Sequence, residues 1–96
     1  MFTQADYDKL VEFRQKVTKD FDEMLDHTKQ AISTTEGTDW SGSSGSAFKT
    51  VESSIENAII TKRNEAVATI DNKLAVWKEE LQRREAEEAQ RAQSLQ

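Results

Sequence analysis

Apolar residues recur at alternating steps of three and four through Tyr7, Leu10, Val17, Phe21, Met24 and Ala31, with Arg14 and Thr28 filling the two gaps. Those steps keep residues on one face of an α-helix, whereas a half-buried strand alternates at every second residue. Arg14 and Thr28 both carry aliphatic atoms that lie along such a stripe. Val11, Phe13, Leu25 and Ile32 fall beside the line and widen the apolar face. The pattern predicts a first helix over about 3–33. Its start is marked by Thr3 and, three residues on, Asp6, the spacing of a capping box in which a hydroxyl and a carboxylate each accept a backbone N–H left free at the helix end. Phe2 and Tyr7 hold the positions of a hydrophobic staple.

A second stripe runs through Phe48, Val51, Ile55, Ile59, Lys62, Ala66, Ile70, Leu74, Trp77 and Leu81, with Ile60, Val67 and Val76 adding width. It predicts a second helix from about residue 46. Between the stripes, residues 34–46 are rich in Ser, Thr and Gly, which favour turns and caps. All three glycines lie in that stretch and the chain has no proline, so the break falls in one place. After Leu81 the apolar content drops to alanines and Leu95. The organisation expected is therefore an antiparallel helix-turn-helix hairpin over 1–81, followed by a charged helical extension or flexible tail over 82–96.

Composition limits how such a hairpin is covered. The chain has 96 residues, of which 35% are hydrophobic and 32% charged. Even with glycine added, the apolar share falls short of the ~45% usual in globular chains. One hairpin has a single helix–helix seam, yet each helix carries more apolar residues than one seam covers. Two hairpins packed face to face make a four-helix bundle that covers both faces. An all-α dimer is expected, with Leu10, Phe13, Val17, Phe21, Met24, Val51, Ile55, Ile59, Ile70, Leu74 and Trp77 packing in the seam or the dimer interface.

Net charge is −5, which opposes nucleic-acid binding, since phosphates demand a basic face. No segment approaches the ~18 uninterrupted apolar residues of a transmembrane span. The amino-terminal residues show neither the basic region nor the apolar run of a cleaved signal peptide. Cysteine is absent and there is one histidine, so thiolate metal sites and His clusters are excluded. His27 follows Asp26, but acid–base catalysis needs a cleft and a convergent nucleophile, which a thin hairpin does not offer. Asp20, Asp22, Glu23 and Asp26 lack the Asp-x-Asp-x-Asp-Gly pattern of a calcium loop and read as a solvated face. Lys62-Arg63 and Arg83-Arg84 read as helical ion-pair support for Glu65, Glu80 and Glu85. Trp77 reads first as seam packing and second as a hot spot for a partner protein. No catalytic residue, metal site or cofactor is expected.

The bend contains Trp40-Ser41-Gly42, with the aromatic Phe48 opening the second helix. A Trp-x-Gly match is weak by itself. Its weight comes from lying at the single turn of a two-helix chain about a hundred residues long. On these residues and this layout the chain resembles the WXG family, the early secreted antigens exported by type VII (ESX) secretion systems. The resemblance implies homodimeric or heterodimeric four-helix bundles that leave the cell without a cleaved signal. Some family members act as secreted effectors and others as chaperone or co-export partners. It also implies that Trp40 and Gly42, with Phe48 nearby, form the bend half of a bipartite export signal.

Many actinobacterial pairs carry, after the second helix of one subunit, an aromatic residue followed four positions later by an acid. Here Trp77 is followed at that distance by Leu81, so a partner supplies that half or the tail signal differs. The expected function is that of a non-enzymatic substrate or co-substrate of type VII secretion. Its expected partners are a second copy or a paralogous WXG protein and the secretion ATPase, and its expected location is cytoplasmic before export and extracellular after it. The alternative is an intracellular adaptor whose hairpin pairs with another coiled coil.

Overall fold

A computed structural model of the chain describes residues 2–36 and 42–95, without the side chains of 36 and 42–44. Among the described residues there are two helices and no strand: α1, Gln4–Glu36, and α2, Gly42–Ser94. The fold is all-α, a helical hairpin. Its 53-residue second helix spans about 80 Å at 1.5 Å per residue, and the molecule measures 81 × 17 × 16 Å. A radius of gyration of 22.7 Å, against ~12.5 Å for a compact domain of this length, makes it a rod.

The start of α1 follows from side-chain chemistry. Thr3 N–H donates to Asp6 Oδ2 at 2.9 Å, and Asp6 N–H donates to Thr3 Oγ1 at 3.3 Å. This is the reciprocal capping box that the spacing predicts, with Asp in place of Glu. Both helices run into the stretch expected as a bend, α1 through Glu36 and α2 from Gly42. The small polar residues there find partners within the helices. Thr34 and Thr35 donate to the carbonyls of Gln30 and Ala31, and the Ser46 carbonyl accepts from Thr50, one turn further into α2. Such back-bonding satisfies a hydroxyl without breaking the helix.

Ion pairs fix the register. Arg14 meets Asp71 and Asp22 meets Arg63. Eight residues forward along α1 thus match eight residues back along α2, so the helices are antiparallel and their pairing does not slip between these points. On this register Gln4 lies opposite Leu81. Past Arg84, α2 continues as helix to Ser94 with every described side chain exposed. The segment 82–96 is thus a helical extension over its described length, and in its first turn Arg84 still reaches Phe2, just ahead of α1.

The seam follows a slightly different line from the expected stripes. On α1 it passes through Tyr7, Leu10, Val17 and Phe21, then through Leu25, Thr28 and Ile32, leaving Met24 and Ala31 exposed. A straight helix drifts ~20° per heptad from a strict seven-residue repeat, and that drift carries the contact line from Met24 to Leu25. On α2 the inner positions near the bend are Phe48, Glu52, Glu56, Ile59 and Arg63, while Val51, Ile55 and Lys62 face outward. Ile70 alone, at 8% exposure, counts as buried among the described residues.

Candidate functional site

The hairpin has two unlike flanks. At about 100° per residue, Arg14, Thr18 and Asp22 lie to one side of the α1 contact line. Arg63, Asn64, Val67 and Asp71 lie to the same side on the antiparallel α2. This flank is polar and spanned by ion pairs. Arg14 Nε and Nη2 donate to the two Asp71 oxygens at 2.5 and 3.1 Å, and Arg63 Nη1 donates to Asp22 Oδ1 at 2.9 Å. The hydrogen bonds from Arg14 hold the Asp71 carboxyl below its ordinary pKa, against a smaller opposing effect of desolvation. The same bonds, reinforced by the charge of Asp71, raise the Arg14 guanidinium above its usual value.

The opposite flank is apolar. It carries Phe13 and Met24 from α1 and Val51, Ile55 and Val76 from α2, with exposures of 53, 51, 55, 43 and 59%. Leu10, Ile70, Thr69 and Val76 line a groove along it. These five large exposed apolar side chains are spread along one side of the rod, over about 37 Å from Val51 to Val76 at 1.5 Å per residue. The chain exposes 7395 Å², whereas a compact monomer of 10.9 kDa exposes about 5,600 Å² by mass scaling. The surplus, about 1,800 Å², goes with the rod shape and includes the ion-paired flank and the exposed helix after Arg84.

At the open end of the hairpin, beyond the capping box, Phe2 crosses to α2. Its ring stacks on Trp77 with centroids 4.6 Å apart and planes 12° from parallel. The Arg84 guanidinium lies 4.6 Å from the same ring, and Arg84 Nη1 donates to the Phe2 carbonyl at 2.6 Å. Lys73 Nζ lies 5.8 Å from the Trp77 ring. Further along α2, Arg83 pairs with Glu80 and with Glu87, the latter at 2.7 Å. These contacts, the hydrogen bond to Glu80 first, raise the pKa of Arg83.

Of the residues singled out from sequence, Ile70 is buried, and Leu10, Val17, Phe21, Ile59, Leu74 and Trp77 are half-buried along the α1–α2 seam. Phe13, Met24, Val51 and Ile55 lie on the exposed apolar flank. Phe48 is half-buried near the start of α2. Trp40 lies outside the described residues, and Gly42 is the first residue of α2. The Lys62–Glu65 pair forms as expected, at 3.3 Å. Arg63 instead reaches across the seam, a role its sequence neighbours do not reveal. Phe2 and Arg84 are the residues that helical patterning misses, since Phe2 precedes α1 and Arg84 sits in a charged run. His27 is exposed on α1. Among the described residues there is no group of three or more His, Asp or Glu placed to hold a metal ion, and no helix long and apolar enough to cross a membrane. The chain matches no protein-family model, no curated protein and no solved structure.

Proposed function

We propose that this chain is a WXG-type hairpin, a substrate or co-substrate of a type VII secretion system that acts by protein–protein contact and not by catalysis. The observation that carries the reading is the position of the motif. In the sequence, Trp40-Ser41-Gly42 falls between the apolar stripes of the two helices; Trp40 and Ser41 lie outside the described residues, and Gly42 is the first described residue of α2. The exposed apolar flank supports the second part of the reading, a dimeric four-helix bundle. A second copy laid against Phe13, Met24, Val51, Ile55 and Val76 covers the flank and leaves the ion-paired side in water. The chain remains cytoplasmic until the secretion ATPase recognises the bend of the folded pair.

The test is a secretion assay in cells with and without the ATPase, comparing the chain with its Trp40→Ala variant. Export that depends on both the ATPase and Trp40, with dimerisation unchanged by the substitution, is the expected result. Export independent of the ATPase overturns the reading, as does loss of folding and dimerisation on removing Trp40. One observation favours a second reading, an intracellular coiled-coil adaptor: α2 runs as an unpaired helix from about Glu85 to Ser94. Retention of the chain in cells with an active ATPase selects that reading.

A further inference from the structure

Seven residues separate Trp77 from Arg84, which places their side chains about 10.5 Å apart along one face of α2. That gap accepts one aromatic ring with a contact layer on each side, and Phe2 fills it. Lys73, one turn before Trp77, adds a cation to the ladder. The layers therefore run from ammonium to indole, then benzene ring, then guanidinium. Each contact is of a favourable kind, offset or parallel ring stacking and cation over ring. The guanidinium also reads the backbone, because Arg84 Nη1 donates to the Phe2 carbonyl. Glu80 adds charge beside Arg84, its Oε1 3.5 Å from the shielded Arg84 Nε, while that same oxygen accepts a hydrogen bond from Arg83.

We propose that Trp77, Arg84 and Glu80 form a recognition slot for an aromatic side chain on an extended peptide segment, and that Phe2 is its ligand in cis. The two side chains that stack on the ring, Trp77 and Arg84, both come from α2, and the ligand comes from a residue outside either helix. Phe2 precedes the Thr3 cap, so its departure breaks no helical hydrogen bond of α1. The residue thus works as a clasp: it closes the open end of the hairpin, and a partner presenting an aromatic residue in the same way takes its place. Tethering gives Phe2 an effective concentration of ~mM, so a free peptide competes poorly with the intact clasp and binds once the clasp is removed. The inference does not depend on the export reading.

Trp77 reports the slot directly once Trp40 is replaced by Phe. In that background Phe2→Ala is expected to move Trp77 emission to longer wavelength while the helical circular dichroism signal is kept. A peptide with the sequence of residues 1–6 restores the emission at millimolar concentration, and the same peptide with Ala for Phe does not. Arg84→Ala in the Phe2→Ala chain weakens the peptide by about tenfold, the loss expected for a cation layer and a hydrogen bond. The chain with Phe2 intact responds only weakly. Phe2→Leu keeps apolar bulk without a ring and serves as the second variant if Phe2→Ala loses helicity; it too responds to the peptide. Unchanged Trp77 emission in both variants, equal action of the two peptides, or an equal response with Phe2 present overturns the proposal.

Discussion

Arg14 and Asp71 face each other across the hairpin as a two-pronged pair, with guanidinium nitrogens 2.5 and 3.1 Å from the carboxylate oxygens. The pair is exposed to solvent, where ion pairs add little to stability. Its value lies in register. With Asp22–Arg63 it marks two points, eight residues apart on each helix, at which one alignment satisfies both charges.

Acid is expected to weaken this restraint. The Asp71 carboxyl is held below its ordinary pKa in the folded chain, so its contribution is complete above the ordinary carboxylate value. It is lost as pH falls through the depressed folded value. Asp71→Asn lacks this contribution at every pH. Its thermal midpoint is predicted to lie slightly below that of the parent at pH 7 and to converge with it in strong acid. Thermal melts of both chains across that range check it. A difference that grows in acid contradicts the assignment.

Ile70 and Val76 lie less than two turns apart on α2, the first buried and the second exposed. Ile70→Ala removes the one buried apolar side chain among those described. It is predicted to cost about 2 kcal/mol, the lower end for such truncations because the seam is thin. Val76→Ser, combined with Phe13→Ser, changes only the exposed flank. This double variant is predicted to weaken self-association by tenfold or more, about 1.4 kcal/mol, while leaving helicity at high concentration intact. Dilution series followed by sedimentation and circular dichroism separate the two effects.

The extension of α2 is predicted to be dispensable for stability up to a sharp boundary. Every described side chain after Arg84 is exposed, so ending the chain after Arg84 leaves the thermal midpoint within a few degrees. Ending it after Gln82 removes Arg84 as well and loosens Phe2. In the Trp40→Phe background, Trp77 emission then shifts to longer wavelength, as it does for Phe2→Ala. Equal emission from the two truncations would contradict the role given to Arg84.

The helices and their capping box were legible in the sequence because they depend on local spacing: Thr3 and Asp6 lie three residues apart, and the stripes repeat every three or four. The side of each helix that meets the other was less legible. Val51 and Ile55 read as packing either in the seam or in a dimer interface, and near the bend Glu52 and Glu56 take the inner positions while Val51 and Ile55 stay exposed. Arg14–Asp71 and Arg63–Asp22 join residues 57 and 41 positions apart, and no periodicity within one helix encodes them. The Phe2–Trp77–Arg84 stack is hidden for the same reason. Trp40 was legible only as part of a sequence motif, and it lies outside the described residues.

The account rests on the exposed apolar flank being covered by a second copy of the chain. Size-exclusion chromatography with light scattering at high micromolar concentration measures this directly. The account predicts a cooperative, helical particle of twice the 10.9 kDa chain mass, dissociating when Phe13 and Val76 are made polar. A cooperatively melting monomer at that concentration, with Phe13 and Val76 exposed to water, would contradict it.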